Sequence, residues 1–138
     1  MSVASTSNEA GFTASVVVRA SPGEVFRFFT EPAGFADWFV VEGFTTEDVE
    51  LDPVPGGAIS AVMRSDDGGT SIPFRLRYGR LDPPWLAQFV FDDPMDAVTI
   101  VVRPTGDGRT TVSYHKAYGP DDAASGAQGM LAALEAAI

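Results

Sequence analysis

The order of apolar and polar residues divides the chain into a β-rich start, two short helices, a long β-rich middle and a helical end. Residues 1–11 are small and polar, so we expect a flexible N-terminal tail. Phe12–Ala20 contains three consecutive valines, which predict a strand because β-branched residues favour extended backbone. Residues 12–138 show neither a linker nor a repeat, and we expect them to form a single domain.

Two helices are predicted directly after this first strand. Ser21, Pro22 and Glu24 match a capping box with proline at the first helical position, so a helix begins there. The Glu31-Pro32 pair ends that helix, because a residue before proline disfavours helical backbone. A second short helix is predicted from residue 32 to about residue 38.

The middle of the chain alternates short β-rich runs with clusters of glycine, proline and aspartate, which are typical of tight turns. Strands joined by tight turns form an antiparallel meander, since parallel pairs need long crossovers. Together with the first strand, the strands of the middle form a predicted sheet of about seven strands. The predicted strands of the middle are Glu47–Leu51, Ala58–Arg64, Thr70–Leu81, Trp85–Phe91, Ala97–Arg103 and Arg109–Tyr118.

The C-terminal segment Ala123–Ile138 is rich in alanine and predicts a long helix, which Asp121 or Asp122 can cap. Its large apolar residues form one stripe: Met130, Leu131, Leu134 and Ile138. This order of elements predicts an α+β fold in which a curved antiparallel sheet carries the long helix across its concave face.

Composition narrows the classes of function. The chain has no cysteine and one histidine, His115, which excludes a thiol nucleophile, cysteine-ligated metal and a multi-histidine metal site. The formal net charge of −10 argues against nucleic acid and anionic membranes as partners. No apolar run approaches the roughly 20 residues of a membrane helix, and the first residues do not resemble a signal peptide. We therefore expect a cytoplasmic protein.

Bulky apolar side chains are frequent on the predicted strands, and they suit two interpretations. They can line a cavity that binds a small molecule, or they can fill an ordinary aromatic core, and the sequence leaves both open. For the first interpretation the candidate ligand-binding residues are Trp38, Phe39, Met63, Phe74, Tyr78, Trp85, Phe89, Tyr114, His115, Met130 and Leu134.

No catalytic constellation is evident, and we expect no metal and no cofactor. Strand alternation places His115 on the face opposite Tyr114, with no carboxylate nearby in sequence to orient it. Arg75 and Arg77 face water if their strand is half-buried, unless a bulge at Gly79 reverses the facing. The acidic groups Glu47-Asp48-Glu50 and Asp92-Asp93-Asp96 lack the spacing of a calcium loop and are interpreted as solvated turns.

Several short motifs occur in an order that is familiar from one superfamily. They are Pro22-x-x-Val25-Phe26, Thr30-Glu31-Pro32 before Trp38, Pro55-Gly56-Gly57, Gly79 with Pro83-Pro84, Val98-Thr99-Ile100, Thr111-Val112 with His115, and Gly129 with Leu134, where Met130 replaces the usual tryptophan.

Over about residues 14–138 the chain resembles the START-like, or SRPBCC, superfamily, within it the branch of homologues of the activator of a heat-shock-protein ATPase. The resemblance implies a helix-grip fold and a cavity between the sheet and the long helix. It does not fix one function, because this superfamily includes carriers, cyclases and co-chaperones.

Three functions follow. The first is binding of a small hydrophobic or aromatic ligand, including a lipid, in that cavity. The second is a polyketide cyclase or aromatase that uses the same cavity, with Tyr78, Tyr114, His115 and Arg77 as its polar groups. The third is a co-chaperone-like interaction module of a stress response. A homodimer is a further possibility if Ala97–Arg103 forms an exposed sheet edge.

Overall fold

A computed structural model describes residues 4–8, 11–41, 43–91, 97–116 and 123–138. These residues form eight strands and three helices: β1 (Ala4–Asn8), β2 (Gly11–Val18), α1 (Pro22–Thr30), α2 (Pro32–Trp38), β3 (Phe44–Leu51), β4 (Ala58–Ser65), β5 (Ser71–Asp82), β6 (Leu86–Val90), β7 (Ala97–Pro104), β8 (Thr110–Lys116) and α3 (Ala123–Ala137). The strands form one antiparallel sheet in the order β1-β2-β8-β7-β6-β5-β4-β3. The α+β architecture predicted from the sequence is confirmed.

Helix α1 begins where its sequence predicts. The Ser21 hydroxyl accepts a hydrogen bond from the Glu24 backbone N–H at 3.3 Å, and the Glu24 carboxylate accepts one from the Ser21 backbone N–H at 3.4 Å. This reciprocal capping box satisfies two donors that the first turn of a helix leaves without a partner. Helix α2 follows after the single residue Glu31, as predicted, so the two helices form one compact corner.

The two edges of the sheet differ from expectation. Ala4–Asn8, which was expected to lie in a flexible tail, is the edge strand β1 and pairs with β2 from Ala4 opposite Ser15 to Asn8 opposite Gly11. Strand β7, which was considered as an exposed edge for a homodimer, lies inside the sheet between β6 and β8. The predicted edge position of β7 is wrong, because β6 and β8 pair with it on its two sides and the edges are β1 and β3. A homodimer stays a prediction.

The acidic run Glu47-Asp48-Glu50 lies on edge strand β3, which contains the predicted strand Glu47–Leu51, and its three side chains are exposed rather than part of a turn. A register shift separates Glu47 from Glu50, and Asp48 has a positive φ of 55°. Arg64 of β4 bridges the first two carboxylates, at 2.8 Å to each. Charged side chains and a bulge on an edge strand oppose pairing with another chain. The second acidic run, Asp92-Asp93-Asp96, lies outside the described residues.

Strand β5 contains the bulge that the sequence suggested, between Tyr78 and Leu81. An added Cβ at Gly79 would lie 2.4 Å from the Gln88 side-chain oxygen, so only glycine fits there without movement. Arg75 and Arg77 lie before the bulge and are exposed on the outer face of the sheet. The bulge does not turn them inward.

The three helices cover the inner face of the sheet. Helix α3 packs against β2 and α2 and touches β1 and β8, and Leu131 and Leu134 are fully buried in the core. Helix α1 packs against β7, and α2 packs against β3. None of the helices in the described part of the chain is long and apolar enough to span a membrane.

Candidate functional site

Under α1 and α2 the inner face is filled by a cluster of aromatic rings. Trp38 and Phe89 are fully buried, and their ring centroids are 5.7 Å apart. Phe29 contacts Trp38 edge-on at 5.3 Å, and Tyr78 contacts Phe89 at 5.6 Å. Rings at these distances and angles pack favourably, and each buries a large apolar area. In this part of the molecule the aromatic residues form a filled core.

The polar groups of this cluster cap the end of α1. The Trp38 indole Nε1–H donates to the Phe28 carbonyl at 2.7 Å, and the Tyr78 hydroxyl donates to the Phe29 carbonyl. Both carbonyls belong to the last turn of α1, where no intrahelical N–H is available to them. Burial, together with the negative charge of Asp52, raises the pKa of the Tyr78 phenol, so this group stays protonated as a donor.

Burial decreases along the inner face from this filled end towards the opposite end of the sheet. Along β5 the inward-facing residues are Tyr78 (1% exposed), Leu76 (2%), then half-buried Phe74, and finally Ile72, which is 46% exposed. Because β5 is antiparallel to its neighbours, its N-terminal end pairs with the C-terminal end of β4, and β6 runs in the same direction as β4 and ends opposite Arg77.

The neighbouring strands show the same decrease in the same direction. On β4, buried Ile59 and Ala61 are followed by half-buried Met63. Fully buried Phe89 of β6 is followed by half-buried Phe91, directly after the end of that strand. On β8 the last inward-facing residue is half-buried Lys116. We call this region the open end of the inner face and define it by five residues: Met63, Ile72, Phe74, Phe91 and Lys116.

The open end combines apolar side chains with a single cation. Met63 lies opposite Ile72 across the β4–β5 pair. The Lys116 ammonium lies 5.7 Å from the centre of the Phe91 ring, within the range of a cation–π contact. Lys116 is the one charged side chain on the inner face among the described strand residues. An apolar surface that carries few polar groups is a common feature of small-ligand sites.

The sequence model of the family described as activator of Hsp90 ATPase homolog 1-like protein, abbreviated AHSA1, matches residues 19–138. The chain belongs to this family. The match confirms the resemblance inferred from the short motifs, although it begins at Arg19, so β1 and β2 precede it. No match was found among curated proteins.

Solved structures share the fold of this AHSA1 family member over nearly its whole length. A protein of Nitrosomonas europaea superposes with a TM-score of 0.79 at 18% identity, covering 95% of both chains. A protein of Chromobacterium violaceum superposes with a TM-score of 0.76 at 26% identity, and the match covers 95% of this chain and 98% of that protein's chain. An AHSA1-like protein of Aeromonas hydrophila superposes with a TM-score of 0.74 at 21% identity, and the match covers 90% of each chain.

The candidate ligand-binding residues of this AHSA1 protein fall into three groups. Half-buried Met63 and Phe74 lie at the open end, and half-buried Met130 packs against the core from α3. Phe91, Ile72 and Lys116 were not among the candidates, although strand alternation from Tyr114 places Lys116 on the inner face. The second group is buried in the core cluster: Trp38, Phe39, Tyr78, Phe89, Tyr114 and Leu134.

The third group, Trp85 and His115, lies on the outside. For Trp85 this corrects its predicted position in the interior. Trp85 is 45% exposed because it precedes β6 in the turn after Pro84, where strand alternation does not yet direct its side chain. His115 is exposed, and its Nδ1 lies 2.9 Å from the Thr13 hydroxyl oxygen on the outer face. Its alternation with Tyr114 is confirmed, and this alternation is what points the imidazole away from the inner face.

The concave places formed by the described residues lie on the surface, away from the five residues of the open end. A groove of about 430 Å³ runs between α1, α2 and the end of α3, and charged side chains line much of it. Two of them, Arg27 and Glu31, form an exposed ion pair at 2.7 Å. Among the described residues no group of three or more His, Asp or Glu side chains is placed to hold a metal ion.

Proposed function

We propose that this AHSA1 protein binds a small apolar or aromatic molecule at the open end of its inner face. The observation that carries the proposal is the stepwise loss of burial along neighbouring strands, which leaves Met63, Ile72, Phe74 and Phe91 partly uncovered. Covering apolar surface gains about 25 cal/mol per Å², so a ligand there gains free energy from the partly exposed area of these described residues.

The chemistry of the open end suits a ligand whose shape is not tightly prescribed. Met63 is unbranched and polarisable, and such a side chain adapts to different shapes. The fully buried rings of the neighbouring core are fixed in place by edge-on contacts and by the caps on α1. A ligand at the open end therefore contacts an adaptable methionine side chain next to a core whose rings are fixed in place.

The geometry gives less support to a polyketide cyclase or aromatase. Of the four polar side chains considered for such an enzyme, Tyr78 donates to a helix carbonyl, while His115 and Arg77 are exposed on the outer face. Tyr114 alone faces inward beside the open end. Four groups that do not converge cannot act on one substrate. The co-chaperone function stays a prediction that rests on the family's description.

A titration with the fluorescent probe 8-anilinonaphthalene-1-sulfonate tests the proposal. We expect saturable binding to the wild type. We expect Met63→Gln to weaken it by about 5-fold or more, because an amide in an apolar site costs about 1 kcal/mol or more. Trp85→Gln is the matched control, since it removes exposed apolar surface from the outer face, and we expect its affinity within 2-fold of the wild type.

Equal affinity of the Met63 variant and the wild type would overturn the proposal, as would a loss confined to the Trp85 variant. Absence of saturable binding to the wild type would also overturn the proposal. After a positive result, native mass spectrometry of the protein purified from its own host identifies the natural ligand by its mass.

A further inference from the structure

Three phenylalanine rings form a column of nearly parallel planes. Phe35 stacks on Phe39 with centroids 4.7 Å apart and planes 13° apart. Phe39 in turn stacks on Phe74, with ring centroids 5.5 Å apart and an angle of 17° between the ring planes. The neighbouring pairs are arranged differently, for example Phe29 and Trp38, whose planes are 87° apart. The column is thus a distinct feature within a cluster that otherwise prefers edge-on and tilted contacts.

The column runs from the filled core to the open end. Phe35 of α2 is fully buried, Phe39 is 5% exposed, and Phe74 of β5 is half-buried. Among the described aromatic side chains, Phe39 is the one ring that contacts Phe74. Among the rings that the structure describes, the column therefore ends at Phe74, which is also one of the five residues that define the open end.

We propose that the ligand is a planar aromatic molecule that stacks on Phe74 as the next ring of this column. The inference rests on the proposed binding function and narrows its ligand class from apolar molecules in general to flat aromatic ones. Aromatic rings favour offset-stacked neighbours over the edges of saturated rings, because the stacked arrangement adds to the gain from burial.

The surroundings of Phe74 fit a flat ligand. Phe74 lies opposite Ala61 of β4, whose small side chain adds little bulk beside the ring. Met63 is the next inward-facing residue on β4, and a thioether at the edge of an aromatic ring is a favourable contact. A flat ring on Phe74 thus meets a ring face below it and a sulfur atom at its side.

The test compares two ligands with the same carbon skeleton, 2-naphthol and decahydro-2-naphthol, by isothermal titration calorimetry. The saturated compound buries at least as much apolar area, so burial alone gives no preference for 2-naphthol. Stacking on Phe74 predicts that the wild type binds 2-naphthol about 2- to 12-fold more tightly.

Three variants locate the preference. Phe74→Leu keeps an apolar side chain and removes the ring, so we expect the two ligands to bind equally. Phe74→Tyr keeps the ring and is expected to keep the preference. Phe91→Leu is the matched control, because Phe91 is also a half-buried ring of the open end but belongs to no described stack with Phe74. Thermal unfolding of each variant verifies that it is folded.

The possible outcomes separate the two proposals. A preference for 2-naphthol that disappears in Phe74→Leu and persists in the other two variants supports the inference. Equal binding of both compounds to the wild type overturns the inference and leaves the binding function standing. A preference that persists in Phe74→Leu also overturns it, since the ring is then not the cause. Binding of neither compound contradicts both proposals.

Discussion

Replacing Tyr78 with phenylalanine is expected to lower stability and to leave ligand binding nearly unchanged. The substitution removes one oxygen atom and keeps the ring, so the contact with Phe89 at 5.6 Å remains. The carbonyl of Phe29 then loses its donor while it stays within the buried end of α1. A buried polar group without a partner costs about 1–3 kcal/mol, which sets the expected decrease in the free energy of unfolding.

Urea denaturation followed by circular dichroism measures this decrease at pH 7. The denaturant dependence should not change, because the surface exposed on unfolding is the same in both proteins. Thermal unfolding gives a second measure, with a decrease in Tm of about 3–5 °C for each kcal/mol in a domain of this size.

The pH dependence provides an independent check on Tyr78. Burial raises the pKa of its phenol in the folded protein, while the unfolded phenol ionises near pH 10. The folded state therefore holds its proton more tightly. The stability that Tyr78 contributes is complete below about pH 10 and decreases by about 1.4 kcal/mol per pH unit above it. The difference in stability between wild type and Tyr78→Phe should shrink over that range.

The opposite pattern would refute this assignment. If Tyr78→Phe unfolds with the same free energy as the wild type but binds the probe more weakly, the hydroxyl contacts ligand and does not cap α1. A stability difference that is constant from pH 8 to pH 12 would contradict the burial of the phenol.

Two further substitutions test the local structure. Ser21→Ala should lower the free energy of unfolding by about 1 kcal/mol, because the capping box with Glu24 is lost. Ser21→Gly should lower it by only about a few tenths of a kcal/mol. Equal losses of the two variants in urea denaturation would contradict this assignment of the cap. Gly79→Ala should destabilise by about 1–3 kcal/mol, because the new Cβ meets the side chains of Gln88 and Val90 at 2.4 and 3.0 Å. Adding Gln88→Ala should restore part of that loss in a double-mutant cycle, and strictly additive effects would show that no clash exists.

The sequence predicts most of the fold because most of its elements have local causes. Helix α1 begins at Pro22 because the capping box and the proline act within one turn, and no distant contact is needed to place it. The strands of the middle follow from turn residues at regular intervals. Strand β1 has no such signal, since Ala4–Asn8 is small and polar, and its extended form depends on pairing with β2.

The candidate site is less predictable because it depends on how rings from distant elements meet. Phe39 follows α2 and Phe74 lies on β5, so their stack exists only once the helix corner is docked on the sheet. Aromatic content alone does not separate a filled core from a cavity. The structure assigns Trp38 and Tyr78 to the core through their caps on α1, and it leaves Met63 and Phe74 at the open end.

The most direct measurement of ligand binding at the open end is an NMR titration of the protein labelled with ¹³C at its methionine methyl groups. A ring that stacks beside a methyl group shifts its resonance strongly, and Met63 lies at the open end itself. With 2-naphthol as the ligand, we predict a saturable shift of the Met63 methyl resonance in the wild type. Saturable binding that leaves this resonance unmoved, or no binding up to the solubility limit, would contradict the account.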